Sequence, residues 1–298
     1  MRSDILTKFL YLASYVFLGL PYLVFFSGWL RQPYSTVFVL VLVAGIVAGI
    51  KTSFHRIQEA PEMKSRLSIQ TMALILLTVL PVALIAGAGG WGFQDTDWLK
   101  HNAILRDLIT ESWPVIYEID GNRVMLTYYT AYQLPAAAAG KVLGWQTANH
   151  LLFAYTAIGF FLSALWVWIL TGAGRWWVIV IFLAFSGLDV VGQIISTVVR
   201  EASLAAAVSR LVEHFGSLKH VEWWSGWGFA QFSSMASLMV WVPNQGISGW
   251  LLISMILFDG KLDCLRKNGL LYLGLSTLWA PFVSIGLLPF MIAITVYG

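Results

Sequence analysis

Asp97, Lys100 and His101 fall within a single turn and a half of sequence. Offsets of three and four stack side chains on one helical face, and Asp97 would lie near the helix start, where a carboxylate meets unpaired backbone N–H groups. A carboxylate held beside an ammonium and an imidazole suits general-base catalysis on a hydroxyl. The carboxylate takes the proton while the cations stabilise a departing phosphate. Arg106 is a further cation for that task, and Asp95, just ahead of the helix, is the alternative base. A plainer reading makes Asp-x-x-Lys-His a helix cap with a solvent-facing ion pair, worth about 0.5–1 kcal/mol.

A second group follows at Lys219-His220-Val221-Glu222-Trp223-Trp224. Indoles beside polar hydrogen-bonders suit sugar binding, because the apolar face of a pyranose lies well on an aromatic ring. The competing reading is an aromatic belt at the membrane interface, natural in a chain with 15 tryptophans. His220 and Glu222 would face together only in an extended segment. With His101 they are the one ligand set for a divalent cation, but no closely spaced ligand pair supports it, so no metal site is assigned. Asn244 and Gln245, around Pro243, would line a cavity or simply cap helices. Tyr128, Tyr129 and Tyr132 read as interfacial anchors. Asp189 lies in or at the end of an apolar run, where an ionisable residue marks a function unless the run ends there.

The elements that must hold these residues are membrane helices. Hydrophobic residues make up 58% of the 298 positions and charged residues 11%, against roughly 45–50% and about 25% in soluble domains. The apolar residues come in runs long enough to span about 30 Å of hydrocarbon. Candidate spans are about 6–30, 34–50, 68–89, 148–170, 176–196, 246–259 and 269–296, with Pro21, Pro81, Pro281 and Pro289 as kinks. An all-α polytopic bundle of about seven spans is expected. The loops bearing Lys51, Arg56, Lys64 and Arg66, then Arg175, then Lys261, Arg266 and Lys267 should be cytoplasmic, which places the N-terminus inside. Cys264 falls in the last of these, and as the single cysteine it excludes an intramolecular disulfide. A net charge of +3, spread over short loops, argues against nucleic acid as a partner.

This orientation puts two less hydrophobic segments outside, about 90–147 and 197–228. Apolar residues from Val198 to Phe215 recur at helical spacing among Arg200, Glu201, Arg210 and Glu213, which predicts a helix lying in the interface. Parity requires one crossing between the second external segment and Lys261. We therefore expect a re-entrant or surface helix over 229–241 and the crossing over 246–259.

An acidic residue in a large external loop just after a span, followed by amphipathic helices and further spans, resembles the GT-C class of membrane glycosyltransferases. The run Asp97-Trp98-Leu99-Lys100-His101-Asn102-Ala103-Ile104-Leu105-Arg106-Asp107-Leu108 is also similar to a group of uncharacterised bacterial multi-span proteins related to that class. So are Trp113-Pro114-Val115, Leu126-Thr127-Tyr128-Tyr129, Phe185-Ser186-Gly187-Leu188-Asp189, His220-Val221-Glu222-Trp223-Trp224 and Trp241-Val242-Pro243-Asn244-Gln245. The resemblance implies a polyprenyl-phosphate-linked sugar donor, membrane lipid as a partner, and a loop aspartate as base, Asp97 or Asp95. Here the acidic loop follows the third span instead of the first, and the chain stops at Gly298 after an apolar stretch. That suits an N-terminal fragment of a longer protein or a minimal version. The expected function is inverting sugar transfer at the outer face of the cytoplasmic membrane, with Lys100, His101 and Arg106 neutralising the leaving phosphate. The alternatives are a transporter or lipid flippase with an external headgroup site and a gate at Pro243, and a non-catalytic membrane subunit.

Overall fold

The computed structural model describes residues 3–59, 68–92, 94, 96–172, 174–186, 189–216, 234–261 and 264–297. The described helices are α1 (Ser3–Trp29), α2 (Tyr34–Glu59), α3 (Ile69–Ile85), α4 (Thr96–Thr110), α5 (Leu134–Leu143), α6 (Trp145–Thr171), α7 (Trp177–Ala184), α8 (Asp189–Arg200), α9 (Leu204–Gly216), α10 (Met235–Trp241), α11 (Pro243–Lys261), α12 (Leu265–Ser276) and α13 (Pro281–Tyr297). A small hairpin, β1 (Ile116–Ile119) with β2 (Asn122–Met125), pairs antiparallel around Asp120-Gly121. It is the one departure from an all-α chain among the described residues.

Three of these helices are long and apolar enough to cross a bilayer: Ile5–Trp29 within α1, Tyr34–Glu59 and Trp145–Thr171. The chain is a helical membrane protein. Its exposed apolar side chains lie where lipid would cover them, as with Val37, Leu40 and Val41 along α2. Helix α6 sits centrally and packs on α1, α3, α5, α7 and α11. Burial of apolar groups adds little between helices already surrounded by lipid tails, so close packing of small residues and buried hydrogen bonds set the arrangement. Gly159 of α6 shows the packing. A Cβ there would stand 2.5 Å from Phe17 of α1 and 2.6 Å from Ile247 of α11.

Two expected spans are each divided. The run 176–196 becomes α7 and α8, with Phe185-Ser186 leaving the helix between them and Asp189 opening the second piece. The run 269–296 becomes α12 and α13, which fold back on one another. Ser276 Oγ meets Ser284 Oγ at 2.7 Å, and a Cβ on Gly269 would lie 3.1 Å from the Met291 sulfur. These contacts fit an antiparallel hairpin around residues 277–280. Neighbours satisfy the backbone freed at that break, as non-helical chain at membrane depth requires. Leu278 N–H donates to Tyr22 Oη at 2.9 Å, Tyr22 donates to the Gly274 carbonyl at 2.8 Å, and Trp279 Nε1 donates to the Leu18 carbonyl at 3.0 Å. The crossing expected over 246–259 is α11, and α10 precedes it within the expected surface helix 229–241. The interfacial helix expected between Thr197 and Phe215 is split between the end of α8 and α9.

The α11–α12 joint differs from a solvated loop. Asp259 is fully buried and is bonded from three other helices. Tyr11 of α1 donates to Oδ1, joined by Ser53 Oγ of α2 at 3.3 Å. Asn268 Nδ2 and Tyr272 Oη of α12 donate to Oδ2 at 2.6 and 2.5 Å. Cys264, expected in a loop, is buried against the same carboxylate-bearing turn, its N–H donating to the Asp259 carbonyl at 3.1 Å. Lys8, Lys51, Arg56, Lys261, Arg266 and Lys267 belong to this same end of the bundle, in the turns that flank the cluster. Truncating the carboxylate orphans several buried donors, at about 1–3 kcal/mol each. Asp259→Ala should therefore lower the thermal unfolding midpoint of the detergent-solubilised protein substantially, and Asp259→Asn, which keeps one acceptor oxygen, should lower it less. Equal midpoints for Asp259→Ala and the parent protein would contradict this role.

Candidate functional site

The expected helix after the third span is α4, with Asp97 in its first turn. The apolar residues recur at helical spacing, so Trp98, His101, Ile104, Leu105 and Leu108 form the buried stripe. Asp97 and Lys100 lie on the edge of that stripe. Lys100 Nζ stands 3.4 Å from Asp97 Oδ1, with the two side chains 48% and 46% exposed. The predicted pair is present, while His101 turns inward, only 2% exposed. The three residues thus share a helix but divide between solvent and core. Arg106, nine residues and two and a half turns beyond Asp97, projects from the opposite side of α4. It is 66% exposed and faces Asp107 at 3.5 Å. The structure does not bring it to Asp97.

Three elements converge on the inner side of α4. Trp98 Nε1 donates to the Val240 carbonyl at 3.0 Å, which docks α4 on α10. Gln133 Nε2 approaches His101 Nδ1 at 3.2 Å, linking α4 to the segment that precedes α5. In that segment Tyr128 and Tyr129 stack with centroids 3.9 Å apart. Tyr128 sits edge-on to His101, and the Lys100 ammonium lies 5.6 Å from its ring centre. Gln245 at the start of α11 donates through Nε2 to Tyr129 Oη at 3.3 Å. Asn244, beside it, is 1% exposed. Asp97, Lys100, His101, Asn244 and Gln245 are therefore brought to one region. Tyr128, Tyr129 and Gln133, read in the sequence as anchors or passed over, complete it. Asp95, His220, Glu222 and Trp223 lie outside the described residues.

The defining feature of this region is unpaired polarity. His101 Nε2, Tyr128 Oη, Gln133 Oε1 and both amide atoms of Asn244 are buried without a hydrogen-bond partner. Buried polar atoms are nearly always paired, and each orphan costs about 1–3 kcal/mol. Three of the five belong to His101, Tyr128 and Gln133, which adjoin one another, and Asn244 comes to the same region beside Gln245, which bonds Tyr129; together they are equipped to bond a bound polar molecule. With Gln133 donating to Nδ1, the ring proton of His101 sits on Nε2. Burial, reinforced by the Lys100 charge and opposed in part by Asp97, pushes the His101 pKa down to about 4. The imidazole is neutral at pH 7. That corrects the expectation that it serves as a cation for phosphate, since a desolvated ring beside an ammonium does not hold a second positive charge.

Among the described residues no three His, Cys, Asp or Glu side chains gather as metal ligands. No family model matches the chain, and neither the curated proteins nor the solved structures yield a match. The class that fold and site define is thus a helical membrane protein with a half-buried polar site at the bundle end opposite Asp259.

The His101 shift has a stability signature. A histidine whose pKa is depressed on folding binds fewer protons folded than unfolded, so its contribution is complete above the unfolded value near 6.5. It is lost as pH falls toward 4. The loss should reach about 3 kcal/mol below that range. Thermal unfolding of the purified protein between pH 7 and pH 4 should show this slope, and His101→Gln should flatten it. An unchanged slope in that variant would assign the acid sensitivity elsewhere.

Proposed function

We propose that the chain is a membrane-embedded inverting glycosyltransferase that moves a sugar from a polyprenyl-phosphate donor to a hydroxyl acceptor. The observation that carries this reading is the half-exposed Asp97–Lys100 pair at the rim of a buried cluster of unpartnered hydrogen-bonding atoms. A base must meet the acceptor hydroxyl, a cation must meet the phosphate, and the sugar between them needs directional polar partners. In the proposed step the acceptor oxygen attacks the anomeric carbon as Asp97 takes its proton. The new glycosidic C–O bond forms while the anomeric C–O bond to phosphate breaks. Polyprenyl phosphate leaves with the electron pair of that bond, its added negative charge facing Lys100. His101, neutral, orients the sugar through Nε2–H, and Gln133 and Asn244 supply the remaining bonds. No step calls for a cofactor.

Orientation supports the same reading. We read the end around Asp259 as cytoplasmic because its basic residues fit the positive-inside rule; on that reading the N-terminus is inside and the Asp97 site faces outward from the cytoplasmic membrane. Donors anchored by a long lipid reach such a site from the membrane plane. A transporter or lipid flippase is the second reading, favoured by one observation. Asn244, unpartnered at the break between α10 and α11, is the kind of group that lines a polar translocation path.

Asp97→Asn keeps the shape and removes the base. In proteoliposomes of the full chain supplied with a radiolabelled polyprenyl-phosphate hexose, that variant should lower transfer by about 10³-fold while donor binding persists. Transfer at parental rates would remove Asp97 from the base role. Movement of labelled lipid that responds to Asn244→Ala, with no transfer in any variant, would favour the flippase.

A further inference from the structure

A concavity lies beside the start of α4. The chain leaving α3 makes a tight turn at Ala88–Gly90, closed by a bridge between Ala86 and Gly92, and this turn rests on the first turns of α6. Contact is so close that a Cβ on Gly89 would fall 2.0 Å from the Asn149 carbonyl oxygen, and its φ of +64° is one that side chains resist. Between the turn and α6 is an open cavity of about 440 Å³. Gly89, Gly90, Gln94, Asn102, Trp145, Gln146, Asn149 and His150 line it.

Its chemistry is specific. Among the described residues no lysine, arginine, aspartate or glutamate contributes to the wall, so they supply no counter-charge for a phosphate or a cationic ligand. Four carboxamides do contribute, and each offers a donor and an acceptor in one plane, the combination that pairs with neighbouring hydroxyls. Three of them are braced. Gln94 Nε2 donates to the Gly87 carbonyl at 2.7 Å and Gln94 Oε1 accepts from Asn102 Nδ2 at 2.9 Å. Asn149 Nδ2 is spent on the Trp145 carbonyl at 3.0 Å. Asn102 Oδ1, Asn149 Oδ1 and the whole Gln146 amide then have no partner among the described residues. Trp145, 42% exposed at the start of α6, presents indole surface to the same space. Around Gly90 nothing lies within 4 Å of where a Cβ would be, so backbone is open to a ligand.

We infer that this cavity binds an uncharged saccharide ring, with Trp145 as the stacking platform and Asn102, Gln146 and Asn149 as the hydroxyl partners. An indole covers the apolar C–H face of a pyranose, and fixed amides read its hydroxyl edge. The volume is within the usual range for a small-ligand site. The inference is independent of the transferase reading, because binding here needs neither Asp97 nor a donor.

Saturation-transfer NMR on the full chain tests it, in nanodiscs so that no sugar-headed detergent competes. The probes are the methyl glycosides of glucose, galactose, mannose and N-acetylglucosamine, with glucose 6-phosphate as the charged comparator. At least one neutral glycoside should receive saturation at its ring protons and glucose 6-phosphate should receive less. Trp145→Ala and Gln146→Ala, both at exposed positions, should weaken the best probe by about tenfold and about threefold. No saturation of any neutral glycoside, or saturation unchanged in both variants, overturns the inference. Because the readout is binding without turnover, its outcome stands whether or not Asp97→Asn affects transfer.

Discussion

The Asp259 carboxylate is the constraint from which the arrangement of the bundle follows. A charge-capable group in a membrane domain must be hydrogen-bonded from within the protein, and every donor recruited fixes another helix. Asp259 belongs to α11 and draws Tyr11 of α1, Ser53 of α2, and Asn268 and Tyr272 of α12 onto its two oxygens. The donors brace one another as well. Asn268 Nδ2 also reaches Ser53 Oγ at 3.1 Å, and Tyr15 Oη meets Tyr272 Oη at 3.1 Å. Small residues let the backbones come this close: a Cβ on Gly49 of α2 would stand 2.8 Å from the Tyr15 hydroxyl.

Helix α11 carries that constraint to the site. Asn244 and Asp259 are fifteen residues apart on one helix, so about 22 Å of rigid rod separates them. Fixing one end of the rod fixes where the other presents its amide. Helix α6 does the same from the side. Tyr132 Oη meets Thr156 Oγ1 at 2.5 Å, which ties the segment holding Tyr128 and Gln133 to α6, and Tyr155 Oη donates to the Phe17 carbonyl of α1 at 2.5 Å. The polar site is therefore built from short pieces of chain, each stapled to a long helix. Such support keeps unpaired groups from collapsing onto one another.

What was legible in the sequence was what composition and local period decide. The uninterrupted apolar runs of α1, α2 and α6 read correctly because length and hydropathy suffice to define a spanning helix. The position of α4 followed from Asp97 as a helix start and from Ile104, Leu105 and Leu108 on one apolar face. The same spacing contains His101, so its inward turn was there to be read, had the stripe been weighed above the charge pattern. The fold-back at residues 277–280 was not readable. The run is apolar throughout, and what permits the break is a tyrosine hydroxyl more than 250 residues away in sequence. Asp259 was hidden for a similar reason. It stands beside Lys261 in a stretch that looks like a cytoplasmic loop, and its burial depends on donors from two distant segments and from the helix that follows. Tyr128 and Tyr129 looked like belt residues because an aromatic at an interface carries no mark of what its hydroxyl faces.

The two polar centres differ in a way that bears on function. Around Asp259 no buried side-chain atom among the described residues lacks a partner, whereas around His101 five do. Both centres are buried in the same bundle, and both are made of tyrosines, amides and a titratable group. Burial alone therefore does not explain the difference. A cluster whose bonds close among themselves gains stability from being complete and offers nothing to a ligand. A cluster held open by stapled segments gives up stability at each orphan, and the frame that holds it must supply the difference. That asymmetry is the physical ground for assigning scaffolding to the Asp259 end. It also supports looking for chemistry at the end where Asp97 and Lys100 meet solvent.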